Sequence, residues 1–156
     1  MYSFHRIQKF PVPIEKIWAF ISDPKNLAVI TPPEMGFQTL SGDERPMFPG
    51  QIIHYTITPL FGIKMEWVTE ITHVEHLNYF VDEQRHGPYK FWHHKHFLRE
   101  IPGGVEMEDL IHYKVPMGFL GRIFHPILVR PNLEKIFEFR RQQLIELFGE
   151  FKMDAK

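Results

Sequence analysis

The stretch from Tyr79 to Ile101 reads YFVDEQRHGPYKFWHHKHFLREI, and the pattern it contains decides how the rest of the chain is interpreted. Two runs rich in aromatic and apolar residues flank His86-Gly87-Pro88, a combination typical of a turn. No helical periodicity separates the two runs. They are therefore predicted to form neighbouring antiparallel strands, one from Tyr79 to Arg85 and the other from Lys90 to Ile101.

The same kind of pattern continues on both sides of this hairpin. Further runs of strand-like residues are bounded by turn signals at Pro59–Gly62 and at Pro102-Gly103-Gly104. The additional predicted strands are residues 2–10, 50–58, 63–74 and 105–115. Closely spaced strands without intervening helices predict an antiparallel meander of about six or seven strands.

Two short helices are predicted after the first strand. Ile14, Ile17, Trp18 and Ile21 have the i, i+3, i+4, i+7 spacing of one helix face. A second short helix is predicted to start at Asp23-Pro24, with Asp23 as its N-cap, because Thr31-Pro32-Pro33 prevents it from continuing.

The C-terminal part of the chain predicts a long helix. An apolar stripe runs from Leu133 to Phe148, with charged residues elsewhere on the helical wheel. Residues 119–129 form a candidate earlier helical piece, and Pro126 and Pro131 are predicted to kink or break the chain between the two. The sequence thus predicts an α+β fold in which a curved sheet wraps around one long helix. That arrangement favours a ligand cavity between them.

Composition excludes several classes of function. The 156 residues suit one domain, 1–156, and the absence of cysteine excludes disulfides and thiolate metal ligands. A net charge of −1 without a basic patch argues against nucleic-acid binding. The N-terminus has no signal-peptide pattern and no stretch has the length of a membrane span, so we expect a cytoplasmic protein without stable membrane insertion.

The sequence resembles the START-like, helix-grip SRPBCC superfamily. The resemblance rests on Val12–Trp18, on Asp23–Leu27, and most specifically on Phe80–Tyr89 together with Trp92–His96. The last two segments are similar to a bacterial ligand-binding branch that is related to polyketide cyclase/dehydrase and ubiquinone-binding proteins. This resemblance implies the helix-grip fold and a cavity for a ligand, but it does not imply a reaction.

The polar residues of the hairpin are the main site candidates. Glu83 and Arg85 share one face of their strand, and His94 and His96 share one face of the next. If Arg85 lies opposite Lys90, then Glu83 faces Trp92, Val81 faces His94 and Tyr79 faces His96, all on one surface of the sheet. A register that pairs Arg85 with Phe91 would separate the two sets. The full predicted ligand-binding set is Trp67, Tyr79, Val81, Glu83, Arg85, Trp92, His94, His96, Asp109, Tyr113 and Phe137.

Structural roles compete with these site roles. Glu83, Arg85 and the histidines also suit an ion-pair network that only stabilises the sheet. His94 and His96 with Glu83 would make a two-histidine, one-carboxylate metal set, but Arg85 and Lys95 add positive charge nearby. We therefore expect no metal and no cofactor.

Three functions remain open at this point. The first is binding of a small hydrophobic molecule such as a lipid, isoprenoid, polyketide or aromatic compound, and we expect this rather than catalysis. The alternative is a cyclase, dehydratase or hydrolase in which His94 or His96 works with Glu83 or Asp109 as acid and base. The third is an interaction module with a vestigial cavity. The segment with Phe119, Leu120, Ile123 and Phe124 suits a lid over the pocket, packing under the helix, or transient membrane contact.

Overall fold

The computed structural model describes residues 1–58 and 62–152 of the chain. Its seven strands form one antiparallel sheet with the order β1-β7-β6-β5-β4-β3-β2. The strands are β1 (Tyr2–Phe10), β2 (Gln38–Ser41), β3 (Gln51–Ile57), β4 (Met65–Glu75), β5 (Tyr79–His86), β6 (Phe91–Ile101) and β7 (Gly104–Lys114). The predicted meander is confirmed, and the first strand closes it by pairing with the last.

Short helical elements connect β1 to β2. The predicted helix α1 covers Ile14–Ile21, and its apolar side is buried. The second predicted helix is a 3₁₀ turn, Pro24–Ala28, whose start is capped by Asp23 Oδ1 accepting from the backbone N–H of Lys25 at 3.0 Å. Another 3₁₀ turn follows at Pro33–Met35.

The C-terminal helix is longer than the sequence pattern predicts. Helix α2 (Gly118–Phe124) passes through one π-helical turn (His125–Val129) directly into helix α3 (Arg130–Phe148). Pro126 lies inside the π turn, and Pro131 is the second residue of α3. The helix is continuous here, so each proline lacks an N–H that would otherwise bond to the preceding turn. The chain nevertheless does not break, because Pro126 is accommodated by a change in hydrogen-bonding pattern. In the part of the chain that the structure describes, no helix is long and apolar enough to cross a membrane.

Strand β2 is absent from the prediction. Its sequence, Gln38-Thr39-Leu40-Ser41, is mostly polar, and it is a four-residue edge strand with an irregular register against β3. A short exposed edge carries little apolar periodicity, so the sequence gives no strand signal there. Among the predicted turns, the one at Gly103 has the expected left-handed backbone, with φ 83°. The one at Pro59–Gly62 lies outside the described residues except for Gly62.

The sheet is curved, and its concave side packs against helix α3. Strand β4 has two register irregularities against β5, between Val68 and Thr69 and between Ile71 and His73, and such bulges bend a strand. The core on the concave side includes Leu133 and Phe137 from α3 together with Trp67 and Trp92 from the sheet. The fold is the predicted α+β helix-grip arrangement, and the space between sheet and helix holds the candidate site.

Candidate functional site

A partly open cavity of about 150 Å³ lies between the concave face of the sheet and helix α3. Its wall is mostly apolar and combines residues from α1, the 3₁₀ turns, the central strands and α3. Prominent lining residues are Leu27, Met35, Ile53, Tyr55, Trp67, Ile71, Phe80, Asp82, Tyr89, Trp92, His94, His96, Leu133, Ile136, Phe137 and Arg140. The cavity therefore has a large aromatic surface and a small number of polar groups.

Four aromatic side chains from strands β3, β4 and β6 and from the β5–β6 loop form one continuous wall. The rings of Trp67 and Trp92 meet edge to face at a centroid distance of 5.3 Å. Tyr55 stacks on Trp67 at 5.9 Å, and Tyr89 packs against Trp92 at 4.7 Å. Because each ring packs against a neighbouring ring, this aromatic wall is a preformed apolar surface of the cavity.

Tyr89 reaches the cavity because the β5–β6 loop is fixed by Gln84. The side-chain amide of Gln84 donates to the carbonyl of Tyr89 at 2.6 Å, and its oxygen accepts from the N–H of Tyr89 at 3.1 Å. These two bonds replace strand pairing at the end of the hairpin. The continuous ladder consequently stops at Glu83 opposite His93.

This loop shifts the hairpin by one residue from the predicted register. Glu83 faces His93 rather than Trp92, and Asp82 faces His94. Since side chains alternate along a strand, the shift moves Glu83 and Arg85 to the opposite surface of the sheet from His94. The predicted grouping of Glu83 and Arg85 with the cavity histidines is therefore wrong, and Asp82 takes the place assigned to Glu83.

The inner cluster consists of Asp82, His94, His96, Asp109 and Arg140. His94 Nε2 lies 2.9 Å from Asp109 Oδ1, and His96 Nε2 lies 2.8 Å from Asp82 Oδ2. The remaining imidazole nitrogens lie close to the other carboxylate in each case, His94 Nδ1 at 3.4 Å from Asp82 and His96 Nδ1 at 3.0 Å from Asp109. Two imidazole rings with centroids 3.7 Å apart thus lie between two carboxylates.

Burial and pairing shift the pKa values of the residues in this cluster in different directions. Burial, with a contribution from the charge of His96, lowers the pKa of His94 to about 4, so His94 is neutral near pH 7. Burial also opposes the charge on His96, but hydrogen bonds to Asp109 and Asp82 outweigh it and raise its pKa. Despite burial, the histidine contacts hold the pKa of Asp82 below its usual value and that of Asp109 well below. When His96 is protonated, the two carboxylates are balanced by His96 and by Arg140, whose Nη1 lies 3.6 Å from Asp109.

Two N–H groups of the cavity wall lack an acceptor among the described residues. They are Nε1 of Trp67 and Nε of Arg140, both buried. The guanidinium of Arg140 is held 4.7 Å above the ring of Phe137, so its position is fixed by packing as well as by Asp109. Buried donors are normally paired, so these two groups are suited to hydrogen-bond a ligand acceptor.

A second polar network, the outer network, lies on the other surface of the same strands. Arg85 donates to Glu70 at 2.6 Å and to Glu83 at 3.1 Å, and Glu83 also contacts His93 Nδ1 at 3.0 Å. This arrangement corresponds to the structural ion-pair alternative for Glu83 and Arg85. Tyr79 and Val81 share this surface, opposite Phe97 and Lys95.

The other predicted site residues lie at or directly behind the cavity wall. Trp67, Trp92, His94, His96 and Phe137 border the cavity. Asp109 lies behind the histidines and holds both of them. The Tyr113 hydroxyl is hydrogen-bonded to His125 Nε2 at 2.7 Å, and its ring supports Trp92.

Sequence reasoning missed four residues of the site, namely Asp82, Gln84, Tyr89 and Arg140. The first two alternate with Glu83 and Arg85, so a correct register alone would have found them. Arg140 is charged and is not part of the predicted apolar stripe, but it lies seven residues after Leu133 and four before Leu144, which are both buried. It therefore shares their face of α3 and reaches Asp109.

A metal ion would have one possible set of ligands in the described part of the chain: Asp82, His94 and His96, whose donor atoms lie within 4.8 Å of one another. The two nitrogens that would bind the ion, His94 Nδ1 and His96 Nε2, lie 3.4 and 2.8 Å from Asp82 Oδ2. Ligand atoms at ~2.1 Å from a tetrahedral ion lie roughly 3.4 Å apart, so the shorter of these contacts would have to open by about half an ångström before an ion could enter.

Comparison with known proteins supports the fold. No protein-family model matches the sequence, and no curated protein matches it significantly. The structure is similar to that of protein CV1439 from Chromobacterium violaceum, with a TM-score of 0.71 and 15% identity over 97% of this chain and 100% of that chain. Protein Ms6760 from Mycobacterium smegmatis matches with a TM-score of 0.64 and 19% identity over 93% of this chain and 92% of that chain. The protein Ara h 8.0201 matches with a TM-score of 0.62 and 15% identity over 93% of this chain and 98% of that chain. At these identities the similarity identifies the fold of the chain as helix-grip, and the bacterial branch stays a prediction.

Proposed function

We propose that the protein binds a small aromatic molecule in the cavity, with the ring against the aromatic wall and an acceptor group toward the inner cluster. The observation that carries this proposal is an apolar cavity of about 150 Å³ whose wall contains two buried N–H groups that have no acceptor among the residues the structure describes. An apolar cavity of about this size can hold a molecule such as benzene. Among the ligand classes that the sequence leaves open, the size favours a compound of one or two rings over a long-chain lipid.

The polar end of the cavity favours a ligand that accepts hydrogen bonds. Arg140 Nε and Trp67 Nε1 are both donors, and burying a donor without a partner costs roughly 1–3 kcal/mol. A carbonyl or carboxylate oxygen placed near either group would remove this cost. The charges of the inner cluster already balance one another, so a neutral acceptor such as a ketone suits the site better than a cation.

The test compares two molecules of nearly equal shape, acetophenone and isopropylbenzene, which differ in whether they carry an acceptor. We expect acetophenone to bind more tightly, to raise the melting temperature more, and to shift the indole N–H resonance of Trp67 in a nitrogen-correlated NMR spectrum. Replacing Arg140 by Met should reduce the preference for acetophenone.

A cavity-filling variant provides the control for the location of binding. Ile136 lines the cavity and is half-buried, whereas Ile52 is exposed on the outer surface of β3. Ile136→Trp should abolish binding of both molecules, and Ile52→Trp should leave binding unchanged. Equal binding by the two variants, or no binding of any one- or two-ring compound, would contradict the proposal.

A second candidate function, acid–base catalysis, is favoured by the position of His96 and Asp82 at the cavity wall, 2.8 Å apart. A charged imidazole beside a carboxylate is a suitable acid for protonating a carbonyl oxygen. Exchange of the methyl protons of acetophenone in D₂O, followed by NMR, tests this reading. Catalysis predicts exchange above the buffer rate that is lost in His96→Gln while binding persists, and exchange at the buffer rate leaves binding alone as the function.

A further inference from the structure

Helix α2 and the π turn expose an unusual number of apolar side chains. Between Met117 and Ile127, six large apolar residues are 44–74% exposed. We call this set the apolar patch: Met117 (67%), Phe119 (74%), Leu120 (55%), Ile123 (46%), Phe124 (44%) and Ile127 (66%). Single exposed apolar residues are common on proteins, but a contiguous group of this kind marks a binding surface.

The orientation of the segment is the reverse of that of an ordinary surface helix. Leu120, Ile123, Phe124 and Ile127 have the i, i+3, i+4, i+7 spacing of one face, and that face is exposed. The buried side is made by Gly121 and His125. At Gly121 the backbone packs so closely on the carbonyl of Pro116 that a Cβ would lie 2.0 Å from its oxygen. The helix is thus held to the protein by its small and polar residues, and it presents its apolar side outward.

The charged residues of the chain segment that carries the apolar patch have one sign. Residues 110–133 include Lys114, Arg122 and Arg130 and contain no Asp or Glu. Arg130 pairs with Glu134 at 3.2 Å, but no ion pair joins Arg122 or Lys114 to another described residue. Lys90 adds a further exposed cation, since its backbone N–H bonds to the carbonyl of Lys114 at 2.9 Å.

We propose that the apolar patch docks on an anionic membrane surface, with its side chains inserted at the level of the headgroups and the surrounding cations on the acidic lipids. An outward apolar helix face with basic residues beside it has the features of an interfacial membrane-binding helix. A second copy of the chain is a poorer occupant, because a symmetric dimer through this patch would bring its cations together. The patch shares no residue with the cavity wall, so docking does not depend on the proposed ligand.

The test measures cosedimentation of the full chain with vesicles of phosphatidylcholine alone and with vesicles that also contain phosphatidylserine. Leu120→Ser in the patch is matched by Leu40→Ser, because Leu40 is 48% exposed on the edge strand β2. We expect Leu120→Ser to lower the partition coefficient on the mixed vesicles about tenfold, which corresponds to losing one inserted leucine. Leu40→Ser should change it less than twofold.

A charge reversal tests the lipid preference separately. Arg122→Glu should weaken binding to the phosphatidylserine vesicles, whereas Lys16→Glu, the same charge change on the exposed side of α1, should have little effect. Three results would overturn the proposal: no binding to either vesicle, binding that Leu120→Ser leaves intact, or a dimer in analytical ultracentrifugation that Leu120→Ser dissociates. The last result would assign the patch to a second copy instead.

Discussion

The two surfaces of the β5–β6 hairpin carry polar networks of similar composition in very different surroundings. On one surface, Arg85 pairs with Glu70 and Glu83 where the side chains are 23–46% exposed. On the other, His94 and Asp109 pair with their side chains only 4–5% exposed. The residues alternate along the same strands, so chain position alone does not separate them.

The comparison teaches that burial, rather than residue type, decides what such a network does. Ion pairs at the surface are screened by water and contribute little to stability. Buried charges are costly unless every member is paired, so removing one member leaves an uncompensated charge. The outer network is therefore expected to be nearly neutral for stability, whereas the inner cluster holds charged groups at a cavity wall where they can act on a ligand.

The largest expected difference is between Asp109→Asn and Glu83→Gln. Both substitutions keep the shape of the side chain and remove one carboxylate. Asp109→Asn leaves the charges of His96 and Arg140 without their shared partner and should lower the free energy of unfolding by about 3–5 kcal/mol. Glu83→Gln should lower it by less than about 1 kcal/mol. Urea unfolding followed by tryptophan fluorescence measures both.

One result would contradict the expected difference in stability between these two variants. Equal destabilisation by the two substitutions would mean that the inner cluster is hydrated as well as the outer one. Should Asp109→Asn fail to fold, Asp82→Asn provides a second measurement, because Asp82 contacts the same two histidines.

The pH dependence of stability should come mainly from the inner cluster. Below the ordinary histidine value near pH 6.5, the unfolded chain protonates His94, whereas the folded protein resists until its pKa of about 4. Stability should therefore fall by roughly 2 kcal/mol between about pH 6.5 and 4.5. His96 has the opposite effect, since its raised pKa adds stability that is lost as the pH rises above 6.5 through the folded value.

A pair of variants distinguishes the two surfaces in this experiment. His94→Gln should remove the acid-side loss of stability, and His93→Gln on the outer network should retain that loss, because it leaves His94 in place. Unfolding in urea at several pH values provides the measurement. A profile that His94→Gln does not alter would show that His94 titrates normally and that the cluster is open to solvent.

The fold was predictable because its signals are local and repeated. Alternating apolar residues and turn residues such as Pro102-Gly103-Gly104 specify each strand, and the stripe from Leu133 to Phe148 specifies the covering helix. The exceptions are elements with weak local signals. Strand β2 is short and polar, and Pro126 suggested a break where the backbone instead adopts a π turn.

The site was predictable only in part, because it depends on register and tilt. A period-two pattern identifies that His94 and His96 share a face, but the partner strand can be placed in either of two ways. The Gln84–Tyr89 bonds decide between them, and they depend on a side chain folding back on its own loop. Arg140 lies at helical spacing from Leu133 and Leu144, so the period places it on the buried face, but its charge hides it among the polar residues of α3.

The smallest expected effect is the coupling between Arg85 and Glu70 on the outer network. Their contact is short, 2.6 Å between Arg85 Nε and Glu70 Oε2, and a charged contact of that length suggests a strong interaction. Solvent exposure weakens this ion pair, because both side chains are in contact with water and lose conformational freedom on pairing. A double-mutant cycle with Arg85→Met and Glu70→Gln should give a coupling below about 1 kcal/mol that decreases further in 0.5 M salt. A salt-independent coupling of several kcal/mol would show that distance, rather than burial, determines the strength of these networks.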